Sequence, residues 1–270
     1  MIFLCTFEAY KELIDKLMGY AICQLGVTPV RAENSDKSEM VTQLLFGEKA
    51  EVLETKDNWI KIRAEFDSYE GWADRKQFIL LTEEMYNQIE DGPYTSDIFN
   101  MALCEGQPMI LPLGASLPGF KDYKINLGNK KFTYEGEIEN GDMTKSEMTQ
   151  LAHLYLNTPY MWGGKSNFGI DCSGFTQQVY KYAGQRIPRD AYQQAELGEA
   201  LSFVEEAEPG DLAFFDNAES KIIHVGIILE GNRIIHSHGK VRIDPLDTTG
   251  IFNVDSQSYS HKLRVIKQII

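Results

Sequence analysis

Positive charge is in short supply. The chain has 26 Lys and Arg against 40 Asp and Glu in 270 residues, a net charge of −14. Nucleic-acid binding needs a basic surface to displace phosphate counterions, so that class is excluded. Anionic membrane surfaces are poor partners for the same reason. Long apolar runs are missing too, and no stretch reaches the roughly 20 residues that span a bilayer. The opening segment is broken by Glu8, Lys11, Glu12 and Asp15, so it does not read as a signal peptide. Cysteine is scarce: Cys5, Cys23, Cys104 and Cys172 are scattered, with no Cys-x-x-Cys pair to suggest a zinc site. Their even number leaves two disulfides open, but Cys5, Cys23 and Cys104 are expected to be buried free thiols. What remains, 43% apolar and 24% charged, is the composition of a folded globular chain.

The texture changes along the chain. Residues 1–22 predict an N-terminal helix, with Phe7, Tyr10, Leu13, Ile14 and Leu17 on one face and Gly19 after its last turn. Residues 23–82 carry short β-branched and aromatic segments, VTPVRAE, VTQLLFGEKAEVLE, WIKIRAEF and GWADRKQFIL, separated by turn clusters. That punctuation predicts a small all-β barrel. Residues 83–142 predict a short helix and linker, then a second, more irregular barrel. From 143 to 270 the pattern is helices first and strands after, an α+β domain. Thr144 and Glu147 form a capping-box pattern before Met148, Leu151, Ala152 and Tyr155. A second helix follows Cys172, with Phe175, Val179 and Tyr182 on one face and Gly184 at its end. Apolar strands follow: DLAFF, IIHVGIILE, RIIHSH and VRID.

Chemistry concentrates around Cys172. It lies after a glycine-rich loop and opens a helix, where unpaired N–H groups and the helix dipole favour the thiolate, the nucleophilic form. A buried structural cysteine is the alternative on position alone. Only five histidines exist: His153, His224, His236, His238 and His261. Residues 224–229 and 233–238 predict a hairpin around Glu230-Gly231-Asn232, which brings His224 and His236 together at one end. A cysteine, a general base and a group that orients the base make up a nucleophilic triad.

These segments are similar to those of a known family. TPYMWGGKSNFGIDCSGFTQQVY resembles the active-site segment of NlpC-type peptidases, HVGIILEGNRIIHS their histidine hairpin, and PGDLAFF the strand before it. The resemblance covers about residues 144–270. It implies a papain-like α+β C-terminal domain in which Cys172 attacks an amide carbonyl, His224 accepts and returns the proton, and His236 orients His224. His238, on the same strand face as His236, is second choice as orienter. Tyr160, twelve residues before Cys172, matches the family tyrosine beside the oxyanion. SYEGWADRKQF resembles the closing strands of bacterial SH3-like domains, so one or two SH3-like barrels precede the catalytic domain. Needing no metal or cofactor, such an enzyme would be a bacterial monomer of the cytoplasm or periplasm.

Barrel and peptidase domain together resemble the γ-D-glutamyl-L-diamino acid endopeptidases. The resemblance implies murein-derived peptides as substrate, L-Ala-γ-D-Glu followed by diaminopimelate or lysine, with a free N-terminal alanine. An ammonium in a closed site needs an anion. Asp190 matches the amine-binding aspartate, while Ala191 stands where that group often has serine. Asp171 and Ser173 match positions lining the substrate pocket, and Glu39 and Tyr69 are barrel candidates for closing its far end. Rival readings are a papain-like amidase or acyltransferase, a wall-binding module, and a metal enzyme using His236, His238 and Asp244. The last is poor, because no third strong ligand is specified.

Overall fold

The structure is a computed structural model that describes residues 18–270. Of the helix expected over residues 1–22, the first 17 residues, with Cys5, lie outside the described residues, and its end is instead the strand Tyr20–Cys23, whose backbone pairs with two neighbouring strands. The chain divides between Ile138 and Glu139 into two compact units.

The first unit is β-rich. Strands Tyr20–Cys23, Val27–Arg31, Met40–Leu45, Lys49–Lys56, Trp59–Ala64, Glu70–Asp74 and Phe78–Leu81 form one sheet, paired antiparallel throughout. The alternation seen in the sequence is used as expected: Ile60, Ile62 and Ala64 point inward while Trp59 and Lys61 stay half-buried. Glu83–Asn87 is a short helix whose N-cap Thr82 accepts a hydrogen bond from the Met85 N–H. Residues 96–138 add a second antiparallel sheet from Asn100–Cys104, Gln107–Leu111, Lys124–Leu127 and Lys130–Tyr134. Its Ala102, Ile125 and Phe132 share one core with Ile22, Leu45 and Leu81 of the first sheet. Cys23 is buried and outside any disulfide as expected, but Cys104 is only partly buried.

The second unit holds more strand than helix. Its helices are Lys145–Ala152, Cys172–Lys181 and Ala191–Gln194. The capping box forms as the sequence predicts: Thr144 N–H donates to Glu147 at 2.8 Å and Glu147 N–H donates to Thr144 Oγ1 at 3.3 Å. A single antiparallel sheet runs in the order Glu199–Ala200, Ser258–Gln268, Leu212–Asp216, Ile222–Leu229, Arg233–His238, Lys240–Pro245, with Gly250–Asn253 pairing onto Ser258–Gln268. The middle strands LAFFD and IIHVGIIL are buried almost throughout, which explains their continuous apolar runs. Cys172–Lys181 and Ala191–Gln194 pack on the strand that carries His224. Among the described residues no helix is long and apolar enough to cross a membrane.

The predicted hairpin is present, with Gly226 opposite His236 and Ile227 opposite Ile235. Gly226 leaves room for the imidazole opposite it: an added Cβ would lie 2.8 Å from the His236 Cβ and 2.7 Å from Ile234 Cδ1. Gly226→Ala should therefore destabilise the second unit by about 1–3 kcal/mol, the usual cost of overpacking a tight interior. Urea denaturation checks this, and an unchanged midpoint would count against a packed hairpin.

Candidate active site

The helix carrying Cys172 starts where it does because Asp171 caps it. The Asp171 carboxylate accepts from Gly174 N–H at 2.7 Å and from Gly163 N–H at 2.9 Å. It also takes a two-pronged ion pair from Arg189, at 2.9 Å to Oδ1 and 2.6 Å to Oδ2. Arg189 reaches Ser173 Oγ as well, at 3.1 Å. Both partners of the ion pair are buried, Arg189 at 1% exposure and Asp171 at 5%. A buried pair of this kind adds little net stability but is costly to break, so it fixes geometry more than it adds energy. The loop sits close because Gly174 has no side chain: a Cβ there would come within 2.4 Å of the Gly164 carbonyl. Arg189 is absent from the sequence reading, and its only signal there is its place beside Asp190.

Cys172 is buried, and the backbone N–H groups of Val225 and Ser173 reach its thiol. Burial, then the Asp171 charge, push the thiol up to about 12, against the pull of the Val225 N–H and Arg189. The helix start alone favours the thiolate; burial and the Asp171 charge push the other way and outweigh it. Tyr160 is held between two backbone segments: its N–H donates to the Gly239 carbonyl at 3.0 Å, and it bridges Ile170 in parallel. Its phenol is raised to about 12, first by burial and then by the nearby Cys172. Ser237 Oγ donates to the Ile170 carbonyl at 2.8 Å, which ties the hairpin to the loop before the cysteine.

The histidines converge as the hairpin requires. His224 Nε2 and His236 Nδ1 lie 2.8 Å apart, and His236 Nε2 lies 3.0 Å from Asp244 Oδ2. His236 and Asp244 are fully buried, and His224 is 4% exposed. His238 is exposed, and its ring centroid stands 6.4 Å from that of His224, so His236 is the histidine bonded to His224. His261, from the distant strand Ser258–Gln268, stacks on His224 with centroids 4.1 Å apart. Burial, with His236 and His261 next, holds the His224 imidazole well below the ordinary histidine range. Burial also lowers His236 despite Asp244, and takes His261 down to about 4. The Asp244 carboxylate is pushed up by burial, but the hydrogen bonds from His236 and Arg242 prevail and hold it below the carboxylate range. Arg242 grips Asp244 at 2.6 and 2.9 Å.

His224, His236 and His261 have ring nitrogens within 4.8 Å of one another, spacing that could serve a metal ion. His224 and His236 already share a hydrogen bond, and His261 meets His224 by ring stacking, so each ring has a partner within the protein. In the sequence Asp244 stands out only within a weak metal-ligand set, and His261 only as one of five histidines. Their partners lie one strand and two strands away, distances that no local motif records.

The remaining sequence candidates have plain local settings. Asp190 is half-buried at the start of helix Ala191–Gln194, where its N–H donates to Gln193 Oε1 at 3.3 Å. Ala191 is buried. In the first unit, exposed Glu39 precedes strand Met40–Leu45, and half-buried Tyr69 closes the turn after Trp59–Ala64 with its N–H on Asp67 at 3.0 Å.

A capped helix with a cysteine at its start packs on a histidine-bearing hairpin, and the similarities put the chain in the class of peptide hydrolases. The model of the NlpC/P60 family matches residues 157–257, and that of the bacterial dipeptidyl-peptidase Sh3 domain matches residues 30–78. A γ-D-glutamyl-L-lysine dipeptidyl-peptidase of Bacillus subtilis is 31% identical over 215 residues, 73% of this chain and 71% of that one. Its namesake in Bacillus cereus is 29% identical over 248 residues, 80% of this chain and 73% of that one. The crystal structure of an NlpC/P60 family protein from Bacillus cereus superposes with a TM-score of 0.79 at 21% identity, covering 93% of this chain and 99% of that one. The chain belongs to the NlpC/P60 family of peptidoglycan peptidases and carries an SH3-like domain in its N-terminal unit.

The buried imidazoles set a pH dependence. Their folded pKa values lie below the unfolded value of about 6.5, so the unfolded chain takes up more protons as pH falls and stability falls with it. Thermal melting should therefore drop steadily from about pH 6.5 towards pH 4, the lower bound set by His261 at about 4. His261→Gln should remove part of that drop. A melting temperature that is flat across this window would contradict the buried, neutral cluster.

Proposed function

We propose that this chain is a cysteine peptidase that hydrolyses the γ-D-glutamyl–diamino acid bond of murein peptides bearing a free N-terminal L-alanine. The observation that carries the reading is the buried, hydrogen-bonded His224–His236 pair on the two strands against which the Cys172 helix packs. The relatives named γ-D-glutamyl-L-lysine dipeptidyl-peptidase support the choice of bond.

The chemistry follows from the resting states. Cys172 starts as a thiol and His224 as a neutral imidazole, so proton transfer accompanies attack instead of preceding it. The thiol proton moves to His224 as sulfur bonds to the carbonyl carbon. His236, bonded to the far nitrogen of His224, keeps that ring in place and stabilises the imidazolium. The Cys172 backbone N–H and the Tyr160 hydroxyl serve the developing oxyanion. His224 then returns the proton to the leaving amine, and a thioester to the γ-carboxyl of D-Glu remains. Water, deprotonated by His224, releases the dipeptide.

Asp190 supplies the anion for the alanine ammonium. Arg189 holds the adjacent backbone, so this anion is positioned before substrate arrives. Asp171 and Ser173 line the pocket from the nucleophile helix, with the Asp171 carboxylate engaged by Arg189. Ala191 offers no hydroxyl, so amine recognition rests more heavily on Asp190 than it would beside a serine.

The test is peptide cleavage read by mass spectrometry. L-Ala-γ-D-Glu-L-Lys and its diaminopimelate counterpart should yield L-Ala-D-Glu, and N-acetylation should abolish cleavage. Cys172→Ala should be inactive, and Asp190→Asn should weaken kcat/KM by about 10-fold or more through loss of the charge pair with the substrate ammonium. Equal rates on free and acetylated peptides would remove the amine-binding role, and hydrolysis by Cys172→Ala would remove the nucleophile.

A further inference from the structure

We propose that Asp244 is a positioning residue that fixes the proton pattern of both imidazoles, so that the relay runs Asp244–His236–His224. The inference rests on the proposed roles of Cys172, His224 and His236 and deepens them.

The argument is one of hydrogen inventory. Asp244 is held as a carboxylate by Arg242, whose Nε meets Oδ2 at 2.6 Å and whose Nη2 meets Oδ1 at 2.9 Å. The Val254 N–H adds a bond at 3.3 Å. A carboxylate has no hydrogen to give, so the 3.0 Å bond to His236 Nε2 requires that nitrogen to carry one. A neutral imidazole has a single N–H, so His236 Nδ1 is a lone pair. The 2.8 Å bond between the rings must then be donated by His224 Nε2–H. His224 Nδ1 is left bare, which is the state a base needs before it can accept a proton. The reverse order would set a lone pair of His236 against an anion at 3.0 Å. His236 and Asp244 are both at 0% exposure, so water does not relieve that repulsion.

Arg242 has a part in this. It also binds Asp255 at 2.7 Å, so a surface carboxylate and a buried one share the same guanidinium. With its fork anchored outside and inside, Arg242 presents Asp244 in one orientation. The Asp244 carboxylate reaches His224 only through His236, which places it outside the set of groups that touch substrate.

The experiment uses the full chain with 15N-labelled histidine and long-range 15N–1H correlation near neutral pH. His224 and His236 should both appear as the Nε2–H form in the unmutated protein, a measurement that needs no variant to fold. In Asp244→Leu, His236 should lose its single form, and kcat should fall about 100-fold with KM within about twofold, because geometry outside the substrate contacts has been disturbed. A His236 found as Nδ1–H in the unmutated protein overturns the proposal. So does Asp244→Leu with both the original ring forms and the original kcat. Cys172→Ala should keep the ring forms of the parent. Its activity therefore tests the peptidase reading, and the spectra test Asp244.

Discussion

Two imidazoles share one hydrogen bond inside a sheet, away from water, and this constraint governs the rest of the site. Neither ring can turn without breaking a 2.8 Å contact that no solvent replaces. Burial lowers both imidazoles and raises the Cys172 thiol, which favours the uncharged form of each. In the proposed mechanism this low polarity withholds charge until a substrate carbonyl arrives, and it follows from the packing of the capped helix on the strand Ile222–Leu229.

Much of this is legible in the sequence because it is local. The capping box at Thr144 and Glu147 involves residues three apart, and both of its bonds form. The hairpin from His224 to His236 needs only a turn of three residues, and its register sets Gly226 opposite His236. Alternation in Trp59–Ala64 also reads directly into burial. Strand parity puts His236 and His238 on one face and leaves the choice between them open; depth in the sheet decides it, with His236 buried beside His224 and His238 exposed at the strand end.

What escapes the sequence is non-local. Asp244 meets His236 across two paired strands, and His261 arrives from a strand whose neighbours are fixed by sheet order. Arg189 is joined to Asp171 across 18 residues, and no periodicity marks the pairing. The balance between helix and strand is misjudged for a related reason. Short helices announce themselves by caps and spacing, whereas the strands Gly250–Asn253 and Ser258–Gln268 carry mixed polar patterns. In the first unit, the segment 96–138 reads as separate strands and turns, but its inward residues join the core of the preceding sheet. Shared burial of that kind depends on which faces meet, and one-dimensional patterns do not encode it.

The Arg189 fork has a consequence for how such a chain can change over time. Its guanidinium ties the backbone beside Asp190 to the residue that caps the nucleophile helix. The side chains that follow at 190–192 are carried on a frame that is already rigid. Under the proposed roles, substitutions there change which ligand is welcomed while the joint keeps the sulfur in place. Selectivity and reactivity are then separately heritable, one in replaceable side chains and the other in the Arg189–Asp171 joint.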